Sequence, residues 1–521
     1  MFHWISTRAT ALIPLGFSIL IAAYLTGDNL SARWWLIDDH ELFYMAGDLG
    51  RAPTLSEIPA ILSTKTEIGQ FGKYPRYRPS YYFVRILELN VWKFRVSLWY
   101  AFRVFILMFF ILSIWCFSRK YLDAVPSYLF TLLIIAPAYW SDIFARLGPA
   151  EIYGALGLGI ILISLPSALE RKHRSLPHIA IAAAILLAAG TKENMVLLAA
   201  LPGAFLLFRW RYLSLPVRIV YFLTIVYCAW IAWAVFLWMK LAYGQSITDV
   251  NGTSLRLNDR MKMLVYSLTE THVVSLGIAI GLIAMLKIRF LPPGSGIFNG
   301  LKGLFPAVVS WVIILLNVVF YGGKWPTGMR YDFPGLLLWN LGLLMLLPVA
   351  LSLYPFRKLR DNWKTTVFLS VCLLLSIDFN GLGDFRRHVQ KNADRTILFT
   401  RFLDNLRNRL DENTAIVALA NTGGDIETAG SLFRYLHFYR TPGSRHVFVA
   451  NLGEKDRFQL QLLNEMRNWQ RRGYAESDIR PYAEASQRQK GCIVVEFYEK
   501  KKGEPYALPD CRIISHERAP W

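Results

Sequence analysis

Long apolar runs separated by short charged loops organise this chain. The first run covers residues 11–25 and is followed by a polar stretch, 27–95. Further runs cover about 98–117, 125–140, a stretch closing near 169, 217–241, 273–286, 304–321, 334–353 and 365–379. Two shorter apolar pieces, 179–189 and 196–208, flank Gly190-Thr191-Lys192-Glu193-Asn194 and read as a helix pair with a charged tip at the outer surface. An apolar helix of ~20 residues crosses a bilayer, and within lipid the backbone must satisfy its own hydrogen bonds. The pattern therefore predicts a polytopic α-helical membrane protein with about eleven spans. The segment 27–95 is too polar to be buried and reads as a large external loop, with a short surface helix over 55–62.

After about residue 380 the hydropathy drops. The stretch 380–521 is long enough for one small soluble domain, leaving 1–379 as the transmembrane domain. Within the tail, 396–410 and 428–439 read as helices, and 414–420, 446–450 and 492–498 as strands, which predicts a small α/β fold. Asn421-Thr422-Gly423-Gly424-Asp425 lies between strand and helix and reads as an ordinary βα turn. Cys492 and Cys511 each open a short apolar strand. If those strands pair, a disulfide between them contributes about 3 kcal/mol in the chain-entropy model.

Charge sets the orientation. Lys and Arg number 57 against 37 Asp and Glu, and 54% of residues are hydrophobic. Together these exclude a soluble nucleic-acid binder and fit a membrane protein with basic loops. With the N-terminus inside, Arg119-Lys120, Arg171-Lys172-His173-Arg174, Arg209-Trp210-Arg211, Lys287 with Arg289, and Arg357-Lys358-Leu359-Arg360 all fall on the cytoplasmic side, as the positive-inside rule requires. The tail then lies outside. Cys116, Cys228 and Cys372 sit in apolar runs as small hydrophobes. No Walker loop, GxGxxG or HExxH is present.

The same orientation gathers the unusual polar groups on the outer side: Asp38, Asp39, His40 and Glu41; Arg76 and Arg78; Asp142, Arg146 and Glu151; Lys192 and Glu193; Lys324 and Arg330. A carboxylate inside hydrocarbon costs roughly 3 kcal/mol or more, so acids at the outer ends of spans belong in a wet cleft. There a carboxylate can take a proton from an acceptor hydroxyl, cations can stabilise a departing phosphate, and the neighbouring spans can hold a lipid tail. That set suits glycosyl transfer from a lipid-phosphate sugar. Plainer readings stand beside it: Arg76 and Arg78 meeting lipid headgroups, Lys192 and Glu193 pairing with each other at a hairpin, and Arg330 anchoring a loop. Two other functional classes use the same residues differently, namely a transporter or flippase of a lipid-linked saccharide, and a non-catalytic membrane scaffold.

The order of these motifs resembles the GT-C superfamily of polyprenol-phosphate-sugar-dependent glycosyltransferases. The shared marks are an acidic motif after the first span, here Asp38-Asp39, a long first external loop, and a soluble C-terminal domain outside. Within that superfamily the chain is most similar to the transmembrane O-mannosyltransferases with tetratricopeptide tails. They have an Asp-Asp pair, an Arg-Pro motif, an Arg-containing turn before the fourth span and a Lys-Glu tip. The counterparts here are Asp38-Asp39, Tyr77-Arg78-Pro79, Arg146-Leu147-Gly148-Pro149-Ala150-Glu151 and Lys192-Glu193. The likeness covers about residues 1–207, and the tail carries no tetratricopeptide repeat, which leaves sugar and acceptor open. The resemblance implies an inverting GT-C enzyme with Asp38 as general base and Asp39 orienting it. It implies a donor phosphate contacted by Arg78, Lys192 and Arg330, with Arg76, Arg146 and Glu193 as further substrate-binding residues and an optional Mg or Mn ion on Asp39, Asp142 and Glu151. Its partners are a polyprenyl-phosphate sugar donor, a glycan, lipid or protein acceptor, and membrane lipids. Its setting is the bacterial inner membrane, with site and tail facing the periplasm.

Overall fold

The computed structural model describes residues 2–35, 39–47, 49–66, 68–69, 77–170, 175–243, 330, 333–351, 363–420, 423–442, 447–451, 480–481, 491–497 and 512–518. The helices in chain order are α1 (Phe2–Thr26), α2 (His40–Ala46), α3 (Ile58–Lys65), α4 (Pro79–Trp92), α5 (Val96–Ser118), α6 (Ala124–Ile135), α7 (Tyr139–Phe144) and α8 (Glu151–Leu169). They continue with α9 (Ser175–Ala189), α10 (Ala200–Arg209), α11 (Leu215–Tyr243), α12 (Gly335–Leu351), α13 (Trp363–Ser376), α14 (Phe379–Arg409) and α15 (Gly423–Phe438). The strands are β1 (Thr414–Ala420), β2 (Val447–Asn451), β3 (Arg480–Pro481), β4 (Gly491–Glu496) and β5 (Ile513–Arg518). The chain forms two compact units. One is built from Met1–Gly27, Arg76–Tyr81 and Phe102–Val389, the other from Asp28–Pro75, Tyr82–Ala101 and Gln390–Trp521.

The first unit is helical. Among the described residues five stretches are long and apolar enough to cross a membrane: Leu12–Ser31, Val96–Ser118, Glu151–Leu169, Glu193–Tyr212 and Leu215–Val235. A sixth is reached if Thr366–Ser376 and Phe379–Arg409, bent by 48° against each other, count as one span. The chain is a multi-pass integral membrane protein. The runs expected at 273–286 and 304–321 lie outside the described residues. The run expected at 125–140 is not one helix: Pro137 has no N–H to continue the ladder, so α6 stops at Ile135 and α7 restarts at Tyr139. The Trp140 indole folds back onto the freed Ile134 carbonyl at 2.7 Å. Helices α8 and α9 approach closely because α8 is glycine-rich. A Cβ on Gly157 would stand 2.7 Å from the Ala184 carbonyl oxygen and 3.2 Å from the Ala188 Cβ. Small residues at such a crossing are how membrane helices gain packing without a hydrophobic driving force between them.

The second unit corrects the expectation that 27–95 is too polar to be buried. Trp34 is buried edge-on against Phe43 and Trp99 at 5.5 and 6.1 Å. Phe43 in turn meets Tyr435 and Phe438 of α15 at 5.2 and 5.3 Å. The first loop and the tail therefore share one core. On α4, Ile86 and Leu89 are fully buried, as is Arg85, whose guanidinium lies 5.0 Å over the Trp99 ring and 4.0 Å from the Glu88 carboxylate. Arg85 and Glu88 thus enter the core, while Asp28, Arg33, Arg51, Lys93 and Arg95 stay exposed.

The tail contributes a five-stranded, all-parallel sheet in the order β3-β2-β1-β4-β5. Ala415, Val417 and Leu419 of β1 join Phe448, Cys492 and Val494 in one apolar cluster. Every residue of β4 is buried, the continuous burial expected of a central parallel strand. The strands containing Cys492 and Ile513 do pair as neighbours, in parallel. Cys492 is disulfide-bonded, Cys116, Cys228 and Cys372 are free, and Cys511 lies outside the described residues.

Candidate functional site

The site in the first unit is assembled from the inside out. Pro79 opens α4 with no N–H to lose, and the residues just after it bind the end of α9. The Tyr81 amide donates to the Gly190 carbonyl at 3.1 Å, the Ser80 hydroxyl donates to the Leu186 carbonyl at 3.0 Å, and Ser80 meets the Tyr227 hydroxyl at 3.3 Å. Gly190 is required here, because a Cβ would overlap the Ser80 hydroxyl and stand 2.5 Å from that of Tyr227. The docking brings Arg78 to the turn that follows Gly190, where its Nε donates to Glu193 Oε1 at 3.0 Å.

Thr191, Lys192, Glu193 and Asn194 are all buried. The helix pair at 179–208 thus ends in a buried turn, where a charged tip at the surface was expected. Lys192 and Glu193 do not pair with each other. Glu193 takes Arg78, and Lys192 Nζ sits 3.2 Å from Glu151 Oε1. Glu151 opens α8, where the helix dipole favours a negative charge, and its side chain is only 3% exposed. A second cation reaches it: Arg330 Nε lies 3.9 Å from the same Oε1, and the Arg330 backbone N–H donates to Asp142 Oδ2 at 3.4 Å. Three cations and two carboxylates from separate stretches therefore alternate as Arg78–Glu193 and Lys192–Glu151–Arg330. Arg330 is the most open of them, with a side chain 25% exposed against 12% for Arg78 and 11% for Lys192.

The other expected residues fall as follows. Arg146 is half-buried in the turn between α7 and α8. Asp38, Arg76 and Lys324 lie outside the described residues, and nothing is described of the His40 side chain. Asp39 belongs to the second unit, is 1% exposed, and accepts the Trp35 backbone N–H on Oδ2 at 2.8 Å, directly before α2. For a divalent ion the described donor set does not fit. Glu151 is matched by two cations, Asp142 receives the Arg330 amide, and among the described residues no group of three His, Cys, Asp or Glu side chains could hold a metal.

Four further residues stand around the cluster, of which Tyr81 and Arg103 lie outside the sequence motifs. Tyr81 donates its hydroxyl to the Gly148 carbonyl at 3.1 Å, bracing the turn before Glu151. Asn194 donates to the Phe333 carbonyl at 3.0 Å. Arg103, 1% exposed inside α5, donates from Nη2 to the Tyr153 hydroxyl at 2.8 Å and lies 4.8 Å over that ring. An arginine within an apolar run is a signal in its own right, and it was readable at position 103. Just outside the spans, burial pushes the Tyr77 phenol up to about 12, so it stays protonated beside Arg78.

No family model matches the chain, and no curated protein matches it in sequence. Among solved structures it is similar to ArnT from Cupriavidus metallidurans bound to undecaprenyl phosphate, at 11% identity and a TM-score of 0.47 over 91% of this chain and 89% of that one. The apo state of the same protein gives 12% and 0.47 over 92% and 90%. It is also similar to the archaeal oligosaccharyltransferase AglB from Archaeoglobus fulgidus, in complex with an inhibitory peptide and a dolichol-phosphate. There the identity is 12% and the TM-score 0.45, over 84% of this chain and 64% of that one. At these identities and TM-scores the likenesses assign no role to any residue of this chain.

Chemically, the cluster is a set of cations held in place by carboxylates where α8 begins and α9 ends. An entering anion can take over ligands from Glu151 and Glu193, since the cations already stand at those carboxylates.

Proposed function

We propose that this protein is an integral membrane glycosyltransferase that moves a sugar from a polyprenyl-phosphate donor to an acceptor on the extracytoplasmic face. The reading places it in the bacterial inner membrane with site and tail facing the periplasm. The observation that carries it is the alternation of Arg78, Lys192 and Arg330 with the buried Glu151 and Glu193. Arginines offer a planar fork to phosphate oxygens and lysine a point charge, so Arg78 and Arg330 grip the donor phosphate and Lys192 sets the local potential. Asp38 takes the proton from an acceptor hydroxyl as that oxygen attacks the anomeric carbon. The bond from that carbon to the phosphate oxygen breaks, and the sugar inverts. The leaving polyprenyl phosphate departs as an anion, so the cations do the work of a protonating acid. Asp39, which accepts the Trp35 amide, orients Asp38.

The test is transfer in proteoliposomes from a labelled polyprenyl-phosphate sugar to a panel of envelope glycans, lipids and peptides. Release of free polyprenyl phosphate that depends on an acceptor is expected. Asp38→Asn should lower turnover by roughly a hundredfold or more with donor affinity kept. Movement of donor across the bilayer with no release would make the protein a flippase.

A further inference from the structure

We infer that Asn194 is a positioning residue for Arg330: it locks the segment carrying that arginine onto the turn carrying Lys192 and Glu193. The functional half of the inference rests on the proposed reading of Arg330 as a phosphate ligand; the geometric half does not. Arg330 itself is the most open of the three cations. Its guanidinium is 3.9 Å from Glu151, its backbone N–H is 3.4 Å from Asp142, and a quarter of its side chain is exposed. The firm link lies three residues on. Asn194, 1% exposed, donates Nδ2 to the carbonyl of Phe333, which is fully buried, at 3.0 Å. The Phe333 N–H turns back onto the Arg330 carbonyl at 3.2 Å. One buried hydrogen bond thus joins positions 139 residues apart in sequence, in surroundings where such a bond is strong and its loss leaves a buried carbonyl unpaired.

Packing directs the same two segments to the same place. The Phe333 ring lies 5.4 Å from that of Trp140. On α8, Gly154 is three residues after Glu151 and so on the same face. A Cβ on Gly154 would stand 2.8 Å from Met195 Cε and 3.2 Å from Phe333 Cε1. Met195 follows Asn194 directly. The bare face of Gly154 therefore admits the neighbour of Asn194 and the partner of Asn194 side by side, and this brings Lys192 and Arg330 to one carboxylate.

The experiment uses the full-length protein in detergent. The rate of Arg330 modification by phenylglyoxal is followed by peptide mass spectrometry. Arg51, whose side chain is 53% exposed, serves as internal reference. Undecaprenyl phosphate is the binding probe, read by tryptophan fluorescence. Asn194→Ala should raise Arg330 labelling several-fold with Arg51 unchanged. It should also raise the probe's Kd by about tenfold when Arg330 is present and leave it unaltered in an Arg330→Ala background, since a tenfold loss through one contact cannot be lost twice. Asn194→Ser is the second variant. Its hydroxyl ends a bond short of the amide nitrogen, so the link is cut with a small polar group still in the site. Unchanged Arg330 labelling in either folded variant overturns the inference, and so does an equal Kd change in both backgrounds. If labelling rises while Arg330→Ala alone binds the probe like wild type, Asn194 still positions Arg330, and the phosphate reading is what fails.

Discussion

Glu151→Gln is the most informative single perturbation, because it removes a charge and almost nothing else. In the native protein this carboxylate is 3.2 Å from Lys192 Nζ and 3.9 Å from Arg330 Nε. At an effective dielectric of about 20 those separations correspond to attractions of about 5 and about 4 kcal/mol before desolvation is subtracted. Desolvation of a side chain 3% exposed removes much of that. What survives when one partner of a buried pair is deleted is roughly 3–5 kcal/mol, most of it the cost of leaving the other charge unpaired. Lys192 is that charge, since its side chain is only 11% exposed while Arg330 can turn to solvent. Thermal unfolding followed by tryptophan fluorescence, at fixed scan rate and in one detergent, should show Glu151→Gln melting lower by on the order of 5 °C, given the small shift per kcal/mol in a large chain. Glu151→Gln with Lys192→Met should then recover most of the loss, because removing both partners leaves no buried charge. A single variant that melts with wild type, or a double variant worse than the single, would refute the picture of Glu151 as the anchor of two cations.

Three more outcomes follow from the same geometry. Arg78→Ala should raise the donor KM, with Arg78→Lys restoring only part of it because an ammonium lacks the two-pronged fork; normal donor binding with lower stability would make Arg78 purely structural. In a background with Cys372 replaced by serine, a cysteine at the exposed Ser56 should react with an impermeant thiol reagent added outside intact cells, and one at the exposed Lys120 should not; the reverse pattern overturns the orientation. In the second unit, the Glu57 carboxyl is held down to about 2 from an ordinary 4.5, first by its hydrogen bond from Arg51 and then by those from Thr54. A depressed carboxylate stabilises its loop fully above the ordinary value and loses that as pH falls through about 2. Pepsin cleavage near residues 50–58 should therefore rise as pH drops from 4.5 to 2, and Glu57→Gln should already be cut at the upper end.

Much of this protein was set by its sequence alone. Apolar runs of bilayer length dictated α5, α11 and the closing end of α8 nearly to the residue, because a segment that cannot leave hydrocarbon has to be a helix. The pattern of β-prone stretches placed β1, β2 and β4, since a strand buried on both faces must be apolar throughout. The residues of the ion cluster were legible as types, because a charge next to a span is costly unless it has a use. Their partners were not legible. Lys192 and Glu193 are adjacent in sequence yet serve Glu151 and Arg78, and the choice was made by Gly190 admitting Ser80 and by Gly154 admitting Met195 and Phe333. The polar first loop shows the same limit, for Arg85 is buried with Trp99 and Glu88 folded against it. Pattern reports what each residue can tolerate. Pairing depends on which backbones approach closely enough, and that is decided by packing between segments not adjacent in sequence.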